Sequence, residues 1–367
     1  MKVPFVDLPR QISGYEQEIR GVLEGVIFQR ADFIMRQDLI DFENAFAEFT
    51  GVPHAIGVAN GSDALNMALK VLGIGPGDEV ITVSHTFVAT VASIVHAGAT
   101  PVLVDVADDY NMDVDCLERA ISRKTKAIIV VHLNGRVCRM DRVQELAAKH
   151  RLFIIEDSAQ AIGAMFNGKK SGSMGALSTN SFYPFKVIGC FGDGGAITTS
   201  DPELNYRLKC MRDNGQDRAK GEILFWGWNS RLDNLQAAVL TVMMKHLPEI
   251  VANRRKIAAT YHHGLSSLPG LVLPPPPVEE GHYDVYQNYV IRTQRRDELV
   301  KYLNDKQIGT LISWPKPTHH HRALGLTHFS LPNTEAISRE VLSLPMHPAL
   351  SEDEVGYVID ALTKFFH

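Results

Sequence analysis

The first two-thirds of the chain alternates short apolar runs with helical patterns. The runs that predict strands lie in GDEVITVS, TPVLVDV, KTKAIIVVH and LFIIED, and the helical patterns lie in TFVATVASIVHAG, VDCLERAIS and MDRVQELAAKH. Because the apolar runs are continuous, we expect both faces of each strand to be buried. A mostly parallel sheet covered by helices meets this requirement, so the predicted fold class is α/β. Ligands of such sheets bind at the carboxyl ends of the strands.

The pattern changes near residue 245. A helical stretch, LPEIVANRRKIAATYHHGLSSL, runs into GLVLPPPPVEEGH, whose prolines and glycines predict an exposed, extended linker. YDVYQNYVIRT then predicts a strand, and RRDELVKYLNDKQ predicts a helix. A chain of 367 residues is long enough for more than one domain. We therefore predict a large domain over residues 1–245 and a smaller α+β domain over residues 246–367.

Composition argues against several classes of protein. The formal net charge of -5 gives no sign of a nucleic-acid or anionic-membrane partner. No apolar run approaches the roughly 20 residues of a membrane span, and MKVPFVDLPRQ lacks the pattern of a secretory signal. Cys116, Cys138, Cys190 and Cys210 are scattered, which predicts neither a disulfide framework nor a zinc site. We expect a cytoplasmic protein.

Three motifs carry chemically active side chains. Asp157 ends a buried strand in LFIIEDSAQAIGA, and Lys186 precedes a glycine-rich turn in SFYPFKVIGCFGDGGA. In ANGSDALNMALKVLG, Gly61 and Ser62 stand at the start of a helix, where free amides bind anions. Each motif alone has a simpler explanation, since Asp157 or Asn60 would serve as an ordinary helix cap and Lys186 as a surface amine.

Taken together, the three motifs match the requirements of pyridoxal phosphate. The lysine forms the Schiff base, the carboxylate keeps the pyridine nitrogen protonated, and the helix start receives the phosphate. We therefore predict Lys186 as the catalytic residue, with Asp157, Gly61 and Ser62 as cofactor contacts. The glycines that follow Lys186 are expected to let the backbone approach the cofactor closely.

In their order and spacing, these motifs resemble the DegT/DnrJ/StrS family of pyridoxal-phosphate-dependent nucleotide-sugar aminotransferases. The likeness covers almost the entire chain and includes VPFVDLPRQ, GIGPGDEVITVSHTFVATV, VHLNG and GWNSRLDNLQAAVL. The resemblance implies a fold-type-I aminotransferase, with a large cofactor-binding domain around a mostly parallel central sheet and a smaller C-terminal α+β domain.

The resemblance also implies four further cofactor contacts. Phe87 would stack on the ring, Gln160 would contact the ring hydroxyl, and Ser181 would join the phosphate site. Asn229 would reach the phosphate of the neighbouring subunit's cofactor. A homodimer with shared active sites follows from that last contact.

The reaction that the resemblance implies has two halves. An amino acid, usually L-glutamate, gives its nitrogen to the cofactor, which becomes pyridoxamine phosphate, and leaves as 2-oxoglutarate. The nitrogen then passes to a keto group of a sugar carried on a nucleotide diphosphate, while Lys186 moves the proton in each half. Such amino sugars enter surface polysaccharides, such as the O-antigen of lipopolysaccharide, or glycosylated natural products.

The motifs around Lys186 favour one acceptor over another. SFYP before the lysine, GDGGA after it and the downstream NGQDR resemble relatives that aminate 3-keto sugars. A 4-keto sugar is the alternative acceptor. A non-catalytic regulator or scaffold is a second alternative, and it would be expected to have lost Lys186 or Asp157.

One segment of the C-terminal third departs from the family. Where the family often has HYPxPxHxQ, which contributes to the substrate pocket from across the dimer, this chain has SWPKPTHHH, with Ser313, Trp314 and His321 in place of the usual His, Tyr and Gln. We predict Trp314, His319, His320 and His321 as candidate substrate contacts. No metal site is predicted, because adjacent histidines of an extended segment point to opposite faces.

Two further features concern phosphate groups. In MRDNGQDR, Arg212 and Arg218 are either ligands of a pyrophosphate, through charge-assisted hydrogen bonds, or solvated charges at a helix end. GCFGDGG follows a late strand and lacks GxGxxG spacing, so a dinucleotide-binding site is not predicted.

Overall fold

The computed structural model describes residues 1–367. The α-helices are α1 (Leu8–Ser13), α2 (Glu16–Glu24), α3 (Gln37–Thr50), α4 (Gly61–Val71), α5 (Val88–His96), α6 (Val114–Ala120), α7 (Met140–His150), α8 (Pro202–Met211), α9 (Asn234–Leu265), α10 (Arg296–Asp305), α11 (Pro332–Glu340) and α12 (Glu352–Phe366). A π-helical turn covers Gly25–Arg30, and 3-10 turns cover Leu133–Gly135, Thr318–His320 and Arg322–Leu324. No helix combines the length and the apolar composition that crossing a bilayer requires.

The strands form one large sheet and three small ones. They are β1 (His54–Val58), β2 (Glu79–Val83), β3 (Thr100–Val104), β4 (Thr125–Val131), β5 (Phe153–Asp157), β6 (Met165–Phe166), β7 (Lys169–Lys170), β8 (Leu177–Ser181), β9 (Gly195–Thr199), β10 (Gln216–Asp217), β11 (Glu222–Ile223), β12 (His282–Tyr283), β13 (Tyr289–Arg292) and β14 (Val341–Leu344). The large sheet has seven strands in the order β1-β9-β8-β5-β4-β2-β3. Its strands pair in parallel except at β9, which runs against both of its neighbours. The predicted mostly parallel sheet is thus confirmed.

Both faces of the large sheet are buried. On β4, Ile128 and Val130 pack into a cluster of 45 buried residues, whereas Ala127 and Ile129 pack into a separate cluster of 19. This alternation between two cores explains why the strand sequence is continuously apolar, as side chains on either face meet helices rather than solvent.

A third core of 19 buried residues lies in the C-terminal part of the chain. It gathers the end of α9, α10, α12 and the antiparallel pair of β13 and β14. Val3 also packs into this core, where its amide donates to the Gln307 carbonyl at 2.9 Å. The division at residue 245 falls inside α9 and stays a prediction.

Two predicted boundaries in the C-terminal third are wrong. The helix that was expected to start near Leu247 begins at Asn234 and continues through Pro248. Its buried face includes Leu247 and Ile250, so packing holds the helix together where proline removes one backbone hydrogen bond. The strand expected from YDVYQNYVIRT is reduced to two short pieces, β12 and β13.

Candidate active site

A cavity of about 940 Å³ opens at the carboxyl ends of the central strands. Its lining includes the last residues of three of them, namely Val131 of β4, Asp157 of β5 and Ser181 of β8. Parallel strands direct their carboxyl ends to one edge of the sheet, so side chains distant in sequence meet there. Residues from the C-terminal third of the chain, including Trp314, also line it.

The structure brings most of the predicted site residues together. Those that line this cavity are Gly61, Ser62, Phe87, Asp157, Gln160, Ser181, Lys186 and Trp314. Asn229 is exposed and lies outside the cavity of its own chain, as do His319, His320 and His321. The individual roles assigned to these residues stay predictions.

Asp157 is buried at the end of β5 and is held by two hydrogen bonds. The Thr90 hydroxyl donates to Oδ2 at 2.8 Å, and the Ala159 amide donates to Oδ1 at 3.3 Å. Burial raises the pKa of Asp157, while the Thr90 hydrogen bond and the charge of Lys186 lower it. A cation placed against this carboxylate would relieve the cost of its burial, as a protonated pyridine nitrogen does.

The residue before Asp157 is also a buried carboxylate, and it is fully hydrogen-bonded. Glu156 accepts three backbone amides from residues 172–175 at 2.7–2.9 Å, together with His132 Nε2 at 2.9 Å. Because the Cys138 amide donates to His132 Nδ1, the histidine carries its proton on Nε2 and donates to Glu156. This network fixes the end of β5, and Asp157 with it.

Lys186 follows β8 in a tight turn that is anchored from both sides. Its own amide donates to the Tyr183 carbonyl at 2.9 Å, and Gln287 Nε2 donates to the Phe185 carbonyl at 2.7 Å. Desolvation lowers the pKa of the Lys186 amine, opposed by the charge of Asp157. A lysine of lowered pKa is available as the neutral amine, which is the form that attacks carbonyls and accepts protons.

The start of α4 provides an anion site next to Lys186. Asn60 Oδ1 accepts the Asp63 amide at 2.8 Å, whereas the amides of Gly61 and Ser62 have no acceptor within the chain. A Cβ at Gly61 would lie only 2.9 Å from Ser181 Cβ. The helix start and the end of β8 therefore approach more closely than any residue other than glycine would permit.

Two glycines after Lys186 allow close contacts between segments of the protein's own backbone. A Cβ at Gly195 would lie 2.5 Å from the carbonyl carbon of Asn60, and one at Gly189 would lie 2.7 Å from Pro184 Cα. We expected these glycines to let the backbone approach the cofactor itself. Gly195 packs against the turn that precedes α4, so it shapes the anion site indirectly, and the expected approach to the cofactor stays a prediction.

This set of side chains fits pyridoxal phosphate. Lys186 supplies the amine, Asp157 a buried carboxylate, and α4 two free amides for the phosphate. Phe87, 59% exposed, stands at the start of α5 as an unobstructed aromatic surface. Gln160 Oε1 accepts the Asn134 amide at 2.8 Å, which leaves the Gln160 amide group free to donate to a ring oxygen.

Several cavity residues escaped sequence reasoning. Arg254 is buried, and its Nη1 donates to the carbonyls of Tyr286, Gln287 and Met346 at 3.1–3.3 Å. It joins α9 to the segments that close the cavity from the C-terminal side. The sequence offered only a pair of arginines in a helix, which is an ordinary surface pattern. Thr90 was detectable in principle, one helical turn after Thr86 in the motif SHTFVAT.

Neither explanation considered for Arg212 is correct. Arg212 is buried, pairs with the buried Glu43, and donates from Nη1 to the Gly57 carbonyl at 2.7 Å. Arg218 pairs with Asp213 at the surface. Arg212 therefore links α3 to β1 and is not available to a pyrophosphate.

The histidine segment is not extended, contrary to our expectation. Thr318–His320 forms a 3-10 turn that brings the His319 and His320 rings side by side, with centroids 4.4 Å apart. His319 is buried, with Nδ1 2.7 Å from Ser84 Oγ. Earlier in the segment, Trp314 lines the cavity with a left-handed backbone (φ 51°) and packs edge-on against His85. A tryptophan with a left-handed backbone in the lining of a cavity indicates a functional position.

Comparison with known proteins agrees with this geometry. A "Pleiotropic regulatory protein" of Geobacillus stearothermophilus is 41% identical over 100% of this chain and 99% of its own length. The dTDP-3-amino-3,4,6-trideoxy-alpha-D-glucose transaminase of Streptomyces venezuelae is 42% identical over 99% of this chain and 96% of its own. This chain is therefore similar to each relative over nearly its full length.

The fold gives the same result. The crystal structure of S. venezuelae DesV in complex with ketimine intermediate superimposes with a TM-score of 0.95 at 40% identity, covering 100% of this chain and 99% of that one. Residues 16–363 match the DegT/DnrJ/EryC1/StrS aminotransferase family. The resemblance found in the motifs is confirmed: the chain belongs to the DegT/DnrJ/EryC1/StrS aminotransferase family of pyridoxal-phosphate-dependent enzymes.

Proposed function

We propose that this enzyme transfers an amino group from L-glutamate to the 3-keto group of a nucleotide-linked sugar. The observation that carries the proposal is the convergence of a partly buried Lys186, a buried Asp157 and two free helix amides in one cavity. The net change exchanges oxygen for nitrogen: the keto sugar becomes an amino sugar, and glutamate becomes 2-oxoglutarate. The four cysteines are free thiols, which suits a reducing cytoplasm.

Three residues of the cavity have separate tasks in this reaction. When bound, pyridoxal phosphate withdraws electrons from the carbon that carries the nitrogen. Asp157 would hold the proton on the pyridine nitrogen; burial raises the pKa of this carboxyl group, and the Thr90 hydrogen bond opposes that shift and so favours the carboxylate. Lys186 Nζ removes a proton in each half-reaction and returns it to another carbon, for which its lowered pKa is suited.

The first test is an absorbance spectrum of the purified holoenzyme before and after addition of L-glutamate. We expect a visible Schiff-base band that moves towards the ultraviolet with glutamate. In Lys186→Ala the band should be absent or should not respond. A wild-type protein with bound cofactor whose spectrum ignores every amino acid tested would contradict the proposed activity.

The position that receives the nitrogen is tested separately. The 3-keto assignment is supported by the motifs around Lys186 and by the name of the Streptomyces venezuelae relative, which specifies a 3-amino sugar. After reaction with glutamate, the enzyme carries pyridoxamine phosphate. We expect 3-keto nucleotide sugars to return this cofactor to pyridoxal phosphate much faster than their 4-keto isomers do. The opposite preference would keep the proposed aminotransferase activity and change the proposed acceptor to a 4-keto sugar.

A regulatory role is the second candidate, because a relative at 41% identity bears a regulatory name. Retention of Lys186, Asp157 and the anion site argues for catalysis in this chain. The response to glutamate separates the two candidates, since a regulator without transaminase activity would bind the cofactor and not exchange its nitrogen.

We also propose a homodimer in which Asn229 approaches the partner's cofactor phosphate. Trp226 is 94% exposed and Ile223 is 72% exposed, and both lie near the exposed Asn229 in the chain. Large apolar side chains in such positions indicate an interface. Light scattering should give twice the chain mass of 40.7 kDa, and Trp226→Glu should shift the population to monomer with weakened cofactor binding. A fully active wild-type monomer would refute this arrangement.

A further inference from the structure

We propose that His319, His320 and Glu335 form a binding site for a divalent cation of the zinc class. One ligand atom from each residue, two imidazole nitrogens and a carboxylate oxygen, lies within 4.8 Å of the others. Imidazole and carboxylate are the donors that zinc accepts in proteins, and three protein ligands plus water complete a common zinc geometry. The cluster lies outside the cavity of its own chain.

The distances suit a bound ion. His319 Nε2 lies 3.3 Å from Glu335 Oε1, and His320 Nε2 lies 3.5 Å from the same oxygen. Two zinc bonds of about 2.0–2.1 Å that meet at the tetrahedral angle separate their ligand atoms by about 3.3 Å. Both histidine–glutamate distances thus match a bound ion, which would draw together the two imidazole nitrogens, now within 4.8 Å of each other.

The backbone brings the two histidines to one side. In an extended segment neighbouring side chains would point apart, which was our ground for expecting no metal. The argument against a metal does not apply here, because the segment forms a 3-10 turn over Thr318–His320. This turn directs both rings towards α11, which carries Glu335. The third histidine, His321, is exposed and does not belong to the cluster, so it provides a matched control.

The surroundings orient the ligands. His319 Nδ1 lies 2.7 Å from Ser84 Oγ, and Nδ1–H donation to this hydroxyl leaves the Nε2 lone pair facing Glu335, as a metal-bound histidine requires. The Leu331 amide donates to Glu335 Oε1 at 3.2 Å and holds the carboxylate in place. If both rings instead donated N–H groups to Glu335, the same distances would be ordinary hydrogen bonds. Metal binding distinguishes the two arrangements.

An ion at this position would fasten the segment that carries Trp314. Ser84 follows β2 and opens the loop that leads to Phe87, while Glu335 belongs to α11. The cation would therefore fasten the Thr318–His320 turn to α11, while the contact between His319 and Ser84 ties the same turn to the loop after β2. We expect its main effect on stability rather than on the chemical step.

The experiment measures zinc bound to holoenzyme prepared without a histidine tag. After treatment with a chelator, the protein is dialysed against Zn²⁺ buffered by a weak competing chelator, and the metal is measured by atomic emission. Wild type and His321→Leu should bind one ion per chain with the same affinity. His320→Leu and Glu335→Gln should bind at least tenfold more weakly, and each should retain the circular dichroism and cofactor absorption of a folded enzyme.

Thermal unfolding gives a second readout. A ligand that binds only the folded state raises the melting temperature, so Zn²⁺ should stabilise wild type and His321→Leu but not His320→Leu. The proposal is overturned if wild type takes up no stoichiometric zinc, if His320→Leu and Glu335→Gln bind it as wild type does, or if His321→Leu weakens binding equally.

Discussion

The cavity has two walls of different construction. The cofactor wall, formed by Gly61, Ser62, Asp157 and Lys186, stands on the large sheet. The C-terminal wall, formed by Ser313 and Trp314, lies in an irregular segment outside any helix or strand. The first wall matches the family's motifs residue by residue, whereas the second departs from them.

The difference follows from how each wall is supported. β5 is paired on both sides, by β4 and β8, so the Asp157 backbone is fixed by the central sheet. Trp314 has a left-handed backbone and rests on the edge of His85. A rigid wall suits chemistry that is the same for every substrate, and a wall on a loop can differ between relatives without disturbing the sheet. We therefore propose that the cofactor wall carries catalysis and that the C-terminal wall recognises the acceptor.

The largest effect is expected at Lys186. Lys186→Ala removes both the covalent anchor and the proton carrier, so the rate with glutamate should fall by more than about 10³-fold. Single-turnover kinetics measure this rate, and Lys169→Ala, an exposed lysine outside the cavity, is the control. If Lys186→Ala retained a tenth of the wild-type rate, Lys186 would not be the residue that transfers the proton.

Asp157→Asn should have the next largest effect. The amide is close in size but carries no charge, so it no longer stabilises a protonated pyridine nitrogen. Loss of one such preorganised electrostatic contact should lower the rate of both half-reactions by about 10²–10³-fold. Asp193→Asn, a second carboxylate of the same cavity, should cost far less. Equal losses in the two variants would indicate that the rate depends on the total negative charge of the cavity rather than on the position of Asp157.

Trp314→Ala separates the two walls directly. Removing a large aromatic contact should raise KM for the nucleotide sugar by about thirtyfold, since such a contact contributes about 2 kcal/mol to binding. The half-reaction with glutamate should stay within twofold of wild type, and Trp314→Phe should recover most of the sugar affinity. If Trp314→Ala slowed the glutamate half-reaction as strongly as the sugar half-reaction, the division between the walls would fail.

The same contrast explains what the sequence could predict. Strands β2, β3, β4 and β5 and the motifs at their ends were found from local patterns, because a buried parallel strand leaves a continuous apolar run and its end leads into the site. The carboxylate ends such a run, whereas Lys186 follows the polar strand β8 (LSTNS) and α4 follows the edge strand β1, so these two were found from their own motifs. Their meeting in one cavity then follows from the topology of the sheet.

Features that depend on tertiary packing were not predictable. α9 runs through Pro248 because its buried face packs against other helices, although local preference places a helix start there. Arg212 looks like a helix-end charge until β1 and α3 enclose it. The 3-10 turn at His319 depends on the contact with Ser84, 235 residues away in sequence.

Thr90 yields the smallest expected effect. Its hydroxyl donates to Asp157 Oδ2 at 2.8 Å. Burial raises the pKa of this carboxyl group, and the hydrogen bond from Thr90 lowers it. A hydrogen bond to a charged group contributes about 1.5–3 kcal/mol. Thr90→Val should therefore raise the pKa of Asp157 while leaving Lys186 and the C-terminal wall unchanged.

The sign of the expected change follows from the form of Asp157 that is active. Activity needs the carboxylate, which is lost as pH falls through its pKa, so a higher pKa moves the acid limb of the kcat/KM profile of Thr90→Val to higher pH. At alkaline pH its rate should fall by only a few-fold. Thr86→Val is the matched control, because Thr86 contacts the Thr90 hydroxyl at 3.0 Å without touching Asp157. An acid limb that stays in place in Thr90→Val, or moves equally in Thr86→Val, would show that the central sheet alone holds Asp157 in its charged form.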